Sequence, residues 1–207
     1  MNLAISAWLL IWGGGMGTAP PAPSPLPADT VHVEIVTELG SIRVFLEEER
    51  APRTVANFLA YVDGGHYENG SFYRTVTMEN QPDDSVRIEV IQGGADTLRA
   101  DFRHRPPIPI ETTTETGLRH RDGTISMARR EPHSATHMFF ITIGDQPELD
   151  HGGARNPDGY GFAAFGHVVE GMDVVRRIQA RPAEGQSLVE PVGILDIRRV
   201  QGEPERH

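Results

Sequence analysis

The chain has 207 residues, of which 38% are hydrophobic and 23% charged, a balance that suits one globular domain with a short appendage. Its formal net charge of -10 argues against nucleic acid as the main partner, because phosphate binding needs a concentrated basic face. Cysteine is absent, which excludes disulfides, thiol nucleophiles and cysteine-ligated zinc. The plentiful Gly and Pro favour turns and short strands, so we expect a mostly β protein.

Residues 1–28 are predicted to be a signal peptide followed by a Pro-rich spacer. An apolar run from Leu3 to Trp12 precedes Gly- and Ala-rich sequence and then the spacer, and the first charged side chain is Asp29. The run is short for a membrane span, so no membrane contact is expected beyond an uncleaved N-terminal segment, which is the alternative to cleavage. We therefore expect residues 29–207 to form the functional domain of an exported, periplasmic protein.

The first elements after the spacer are a predicted hairpin and a helix. Residues 31–37 and 41–47 each alternate apolar and polar side chains, with a short Gly-containing turn between them. Pro52 can occupy the first turn of a helix, whose apolar residues recur at three- and four-residue spacing until Gly64-Gly65 ends it. We expect this helix to cover one open end of a sheet or barrel.

The rest of the chain predicts six further strands and a second helix. The strands are 71–76, 86–92, 124–129, 138–143, 163–169 and 192–200, and the helix runs from about Met172 to Ala180. Turn signals between nearly all strands indicate a closed eight-stranded antiparallel barrel capped by two α-helices, since closure leaves no free sheet edge. Periodicity alone does not distinguish this barrel from a β-sandwich.

Strand alternation predicts an outer groove. Val90 and Gln92 share one face of their strand, and Met138 and Phe140 share one face of theirs. Together with Ala128 and Leu149, these residues would give the groove an apolar floor that carries one amide, that of Gln92. Arg74, at the end of its own strand, would bring a permanent cation to it.

Such a groove suits an X-Pro peptide bond. Twisting this bond gives up amide resonance, so its isomerisation crosses a barrier of about 20 kcal/mol. In the twisted state the prolyl nitrogen regains its lone pair, and a nearby guanidinium such as Arg74 stabilises that state more than the planar one. Phe140, Val90 and Leu149 are expected to hold the proline ring. Gln92 and backbone groups at Arg129 are expected to fix the neighbouring carbonyl, and no metal or cofactor is required.

Four segments carry a resemblance to a known family. They are Phe72-Tyr73-Arg74, Val90-Ile91-Gln92-Gly93-Gly94, Ser126-Met127-Ala128-Arg129 and Phe139-Phe140-Ile141. In these segments the chain resembles the cyclophilins, which are prolyl cis/trans isomerases, and the resemblance extends from about Val31 to Val200. It implies a cyclophilin-like barrel and proline-containing polypeptides as partners. It also implies that Arg74 is the catalytic group and that Gln92 binds the peptide. In the same way it implies that Phe140 forms the proline pocket and that Ala128 lines the groove.

The sequence departs from the family pattern around the rim of this groove. An insertion at about 77–87 lies between Arg74 and Gln92, where the family usually turns tightly. Phe162 falls near a position often held by His and is expected to line the groove. The other substituted positions are Glu89, Val90, Arg129, Met138 and Glu148. The floor of the pocket is expected to survive with an altered rim.

Three functional classes remain open. The first is an isomerase acting on exported polypeptides, and the second is a non-catalytic module or chaperone that binds proline segments. The third is a metal-dependent hydrolase, but His133 and His137 lie in a loop entering a strand and would not share a face, so no metal site is expected. Asp150-His151 is discounted as a metal site in the same way. The runs 103–105 and 119–121, both Arg-His-Arg, are expected to be solvated loop charge. We expect a monomer.

Overall fold

A computed structural model describes residues 31–81 and 86–201 of the chain. The predicted signal peptide and spacer, residues 1–28, lie outside the described residues, and so does the middle of the predicted insertion, residues 82–85. Within the described part, no helix is both long and apolar enough to cross a membrane.

The described residues form nine strands, three α-helices and one 3-10 turn. The strands are β1 (Val31–Thr37), β2 (Gly40–Leu46), β3 (Gly70–Val76), β4 (Val90–Gly94), β5 (Thr124–Met127), β6 (Phe139–Thr142), β7 (Ala163–Glu170), β8 (Ala183–Glu184) and β9 (Ser187–Gln201). The helices are α1 (Pro52–Asp63), α2 (Thr113–Thr116) and α3 (Met172–Gln179), and the 3-10 turn is Pro147–Leu149.

Eight of these strands close into an antiparallel barrel. Their order is β1-β2-β7-β5-β6-β4-β3-β9, and β9 pairs back with β1 to complete the ring. The predicted eight-stranded antiparallel barrel is therefore confirmed, and the sandwich alternative is excluded. The two-residue β8 is an addition that pairs only with the start of β9.

One clear difference from the predicted elements is at the start of β4. The alternating pattern predicts a strand over 86–92, but β4 begins at Val90. The buried Gln81 side chain accepts a hydrogen bond from the backbone N–H of Ile88 (3.1 Å) and donates one to its carbonyl (2.9 Å). These are the groups that a strand would offer to its neighbour, so the side chain of Gln81 ends the ladder two residues before β4.

Helix α1 begins at Pro52, as predicted, and a distant carboxylate caps its first turn. Ala51 offers no capping side chain. Instead, Glu111 accepts hydrogen bonds from the backbone N–H of Thr54 (2.7 Å), its hydroxyl (2.6 Å) and the backbone N–H of Arg53 (3.2 Å). A negatively charged side chain at the N-terminus of a helix also interacts favourably with the helix dipole. The buried Glu111 thus fixes α1 to the loop before α2.

The barrel interior is an aromatic core that excludes the groove residues. Phe139 meets Phe58, Tyr67 and Phe72 edge-on, with ring centroids 5.6 to 5.7 Å apart. The next residue, Phe140, belongs to a separate apolar cluster on the outer wall, with Val76, Ile88, Val90, Ala128 and Leu149. The predicted division of β6 into an inner Phe139 and an outer Phe140 is correct.

One expectation about loop charge is wrong. Arg103-His104-Arg105 is exposed, as predicted, but in Arg119-His120-Arg121 only the two arginines are exposed, and His120 is 1% exposed. The segment turns inward at its centre because Asp150 receives both the ring and the backbone N–H of His120.

Candidate active site

A groove of about 390 Å³ lies on the outer wall of the barrel. The structure places all nine residues proposed from the sequence in its lining: Arg74, Val90, Gln92, Ala128, Arg129, Met138, Phe140, Leu149 and Phe162. Tyr73, Ile88, Arg130, Arg155 and Asn156 complete it. The residues come from β3, from β4 and β6 with the residues just before each, from the segment after β5, and from the 3-10 turn and the loop that follows it.

The floor of the groove is apolar and rigidly supported. Phe140, Leu149 and Val90 are buried in the barrel wall, and the ring of Phe162 meets Phe140 edge-on with centroids 5.3 Å apart. Ala128 closes the floor because its backbone N–H donates to the carbonyl of Met138 (2.9 Å), which ties the end of β5 to the start of β6. Among the described residues, the groove lining contains no acidic side chain.

Arg74 reaches the groove because β3 is irregular at this point. Phe72 pairs with Gly93 and Arg74 with Gln92, so Tyr73 is an extra residue on β3. A bulge of this kind re-aims the side chains that follow it. As a result, both Tyr73 and Arg74 line the groove, although consecutive residues of a regular strand point to opposite faces.

Two neutral amides hold the Arg74 guanidinium. Its Nη1 donates to Oε1 of Gln92 (2.7 Å), and its Nε and Nη2 donate to Oε1 of Gln186 (3.1 and 2.6 Å). Burial lowers the pKa of Arg74, and the charge of Arg155 acts in the same direction, but a guanidinium stays protonated at neutral pH. The cation is therefore oriented without being neutralised by a carboxylate.

Tyr73 fixes which way the Gln92 amide points. Nε2 of Gln92 donates to the Tyr73 hydroxyl (2.8 Å), which donates in turn to the Met138 sulfur (3.2 Å). Burial raises the pKa of Tyr73, so the phenol keeps its proton. Oε1 of Gln92 consequently faces Arg74.

The comparisons with known proteins decide the family. A family model described as "Cyclophilin type peptidyl-prolyl cis-trans isomerase/CLD" matches residues 32–199. The chain belongs to this cyclophilin family. Its activity is peptidyl-prolyl cis/trans isomerisation, in agreement with the relatives below and with the function predicted from the sequence.

Curated relatives and solved structures agree with this assignment. "Peptidyl-prolyl cis-trans isomerase cyp18" of Streptomyces antibioticus is 40% identical over 149 residues, which are 71% of this chain and 82% of that protein. "Peptidyl-prolyl cis-trans isomerase B" of Escherichia coli is 35% identical over 145 residues, 69% of this chain and 80% of that protein. A crystal structure of a Cryptosporidium parvum cyclophilin covers 84% of this chain and 99% of its own with a TM-score of 0.66; at 22% identity it shows the shared fold.

The sequence did not predict several residues that line the groove of this cyclophilin or that hold Arg74 in it. Ile88 shares the two-residue alternation of Val90 and Gln92, so that pattern could have identified it. Tyr73 could not be found in this way, because the bulge overrides the alternation. Gln186 is 112 residues from Arg74 along the chain, and no local pattern marks it.

The acidic rim substitutions point away from the groove. Oε1 of Glu89 accepts from the side chain of Gln179 (3.1 Å), and Oε2 of Glu148 accepts from the backbone N–H of Ala154 (2.8 Å). Neither carboxylate is in the groove lining. The cyclophilin groove therefore keeps an apolar floor with a cationic edge.

Arg129 lines the groove, and its side chain also connects the loops around it. Its guanidinium makes two 2.8 Å hydrogen bonds to the Asp158 carboxylate and a third, also 2.8 Å, from Nε to the carbonyl of Gly161. It also lies 5.1 Å from the centre of the Phe162 ring, within reach of a cation-π contact. Arg129 thus holds Phe162 against the floor.

The described part of the predicted insertion supports the turn that carries Gln186. The Asn80 side-chain amide donates to the carbonyls of Thr75 and Gly185, both at 3.0 Å. On the other side, Arg155 donates to the carbonyl of Val86 (2.8 Å). The described residues before and after 82–85 therefore contact different walls of the groove.

The two histidines considered as metal ligands are hydrogen-bonded to different loops. Nδ1 of His133 accepts from the backbone N–H of Ile110 (3.1 Å), and Nδ1 of His137 accepts from that of Ala95 (3.2 Å). Across residues 31–81 and 86–201, no three His, Asp or Glu side chains are grouped so that they could hold a metal ion.

Proposed function

We propose that Arg74 is the catalytic group of this cyclophilin and that its substrates are X-Pro bonds in exported polypeptides. The observation that carries the proposal is the guanidinium of Arg74, oriented by Gln92 and Gln186 at the edge of the apolar floor. A donor in a fixed position costs no reorganisation when the transition state forms.

The apolar floor is the proposed seat of the proline ring. Phe140, Val90 and Leu149 line the groove and belong to one apolar cluster, which suits contact with the apolar proline ring. With the ring seated there, the amide that joins proline to the preceding residue lies at the cationic edge. The flanking carbonyl is proposed to pair with the second N–H of the Gln92 side chain and with backbone groups at Arg129.

Catalysis then follows from the electronic change on twisting. In the planar amide the nitrogen lone pair is delocalised into the carbonyl, so it attracts a guanidinium weakly. At the twisted geometry the lone pair is localised and accepts a hydrogen bond from Arg74. The interaction is therefore stronger in the transition state than in either isomer, which is the condition for lowering the barrier in both directions.

Export is supported by the sequence before the barrel. The apolar run Leu3 to Trp12 and the Pro-rich segment that follows are typical of a signal peptide and spacer. We propose that the mature protein acts in the periplasm as a monomer. The mass of the native protein and its distribution between periplasmic and cytosolic fractions test this, and a cytosolic chain that retains Met1 would contradict it.

The groove itself is tested with a short X-Pro peptide. Exchange between the cis and trans forms, measured by NMR or by a protease-coupled assay, is expected to accelerate with wild-type protein and to lose most of that acceleration in Arg74→Ala. Binding of the peptide without acceleration would instead favour the non-catalytic proline-binding module.

A further inference from the structure

Directly behind the proline pocket lies a buried Ser-His-Asp cluster that the isomerase chemistry does not use. Nδ1 of His120 is 2.7 Å from Oδ1 of Asp150, and Nε2 is 3.0 Å from the hydroxyl of Ser126. The exposed fractions are 1% for His120, 7% for Asp150 and 0% for Ser126. The His120 ring lies nearly parallel to the Phe140 ring: the angle between the ring planes is 14° and the ring centroids are 6.0 Å apart.

The hydrogen-bond partners define where the ring proton lies. A carboxylate only accepts, so Nδ1 of His120 donates to Asp150. In the neutral ring, Nε2 is then the acceptor and the Ser126 hydroxyl donates to it. Burial by itself would raise the pKa of Asp150, but hydrogen bonds from the His120 ring and backbone, together with the charge of Arg119, lower it below its ordinary value. The carboxylate is thus the anchor of the cluster.

This order of groups is also that of a hydrolytic triad, but burial excludes that chemistry here. Ser126 lies within β5, is 0% exposed and is not in the groove lining, so no substrate carbonyl can reach its oxygen. A buried polar cluster that is fully hydrogen-bonded instead specifies one arrangement of the elements it joins.

His120 contacts three of the segments that build the pocket floor. Ser126 is on β5, two residues before Ala128, and Phe140 is on β6. Asp150 directly follows Leu149 at the end of the 3-10 turn. The backbone carbonyl of His120 also accepts from Gln146 (2.8 Å), the residue before that turn.

We propose that His120 is a positioning residue for the proline pocket: clamped by Asp150 and Ser126, its ring supports the rear face of Phe140 and sets the depth of the floor. The inference rests on the proposed role of the groove. Without the imidazole, Phe140 could retreat from a proline ring seated on its outer face. Contact with the proline ring is the same in the planar and twisted states, so its loss weakens binding of both and raises KM rather than lowering kcat.

The test compares His120→Ala with a matched core variant, Ile42→Val, in which a buried residue of β2 outside the floor cluster loses one methyl group. For His120→Ala we expect KM, and the Kd of a short Ala-Pro peptide, to rise about tenfold while kcat stays within about twofold. Ile42→Val should lower Tm and leave KM unchanged. An unchanged KM in His120→Ala, or a loss confined to kcat, overturns the proposal.

Two further measurements keep the proposal testable if His120→Ala folds poorly. Ser126→Ala removes one clamp and is expected to raise KM about threefold, and Asp150→Asn, which keeps an oxygen acceptor, should lose less than Asp150→Ala. The ¹⁵N spectrum of the neutral His120 ring should show the tautomer with a protonated Nδ1 and an unprotonated Nε2. An Nε2-protonated ring, or equal KM values in Asp150→Asn and Asp150→Ala, contradicts the clamp. Failure of the proposed catalytic mechanism would appear instead as unchanged kcat in Arg74→Ala.

Discussion

The side-chain oxygen of Gln186 accepts two hydrogen bonds from Arg74, one from Nε at 3.1 Å and one from Nη2 at 2.6 Å. Gln186 lies in the turn between β8 and β9, and its backbone carbonyl also accepts from Thr75 (2.9 Å). The same turn therefore fixes both the end of β3 and the guanidinium beside it. Because the partner is an amide, it orients the cation without cancelling its charge.

Replacement of Gln186 should reduce catalysis without removing the catalytic group. In Gln186→Ala, Arg74 keeps only its bond to Gln92, and we expect kcat/KM to fall about tenfold with little change in Tm. Gln186→Glu keeps the acceptor geometry but places a carboxylate on the guanidinium, so it should also lose activity even though the contact is stronger. Wild-type kcat/KM in Gln186→Glu would show that the neutrality of the partner is irrelevant. Glu184→Ala, an exposed change in β8, is the control.

The consecutive phenylalanines of β6 offer a matched pair of variants. Phe139 lies in the barrel core and Phe140 on the groove floor. Phe140→Leu should raise KM for an X-Pro peptide several-fold with a modest fall in Tm. Phe139→Leu should lower the free energy of unfolding by about 1 to 3 kcal/mol, because the smaller side chain leaves a cavity in a filled core, and leave KM near the wild-type value. Steady-state kinetics and thermal unfolding on both variants check this, and the reverse pattern would place the groove on the wrong face.

Stability should fall as the pH drops below about 6.5, partly because of His137. Burial lowers the pKa of His137, with a smaller effect from His104, and its Nδ1 accepts a backbone hydrogen bond that requires an unprotonated nitrogen. The unfolded chain therefore binds a proton that the folded protein does not. This contribution is complete above the unfolded pKa and is lost as the pH falls, with a slope of at most about 1.4 kcal/mol per pH unit.

Urea titrations between pH 7.5 and 5 measure this slope. His137→Asn should be less stable at neutral pH, because it loses the packed ring, but its stability should depend less on pH. His151→Asn, which changes an exposed histidine, should keep the wild-type slope. A wild-type slope in His137→Asn would assign the acid sensitivity to another group.

The strands and the faces of the groove could be predicted because they depend on two-residue alternation, whereas the closed barrel was inferred from the strand count and the turn signals between strands. The separation of Phe139 from Phe140, and the shared face of Val90 and Gln92, follow directly from that period. The bulge at Tyr73 and the late start of β4 were not predictable, since each results from a contact that alternation does not encode. Gln186 was missed because Arg74 lies 112 residues away, and His120 because Asp150, which accepts from its ring, lies 30 residues away. The Arg-His-Arg pattern around His120 even suggested solvent exposure, and only the position of Asp150 shows otherwise.

The most direct test of the catalytic proposal is kcat/KM of Arg74→Ala on one X-Pro peptide, with thermal unfolding of the same sample. Removal of one preorganised donor typically lowers the rate about 100- to 1000-fold, and we expect a loss on that scale in kcat while the fold is retained. Arg74→Lys should recover little, because a compact ammonium cannot engage Gln92 and Gln186 together as the planar fork does. Wild-type kcat/KM in a folded Arg74→Ala protein would contradict the proposed role of Arg74.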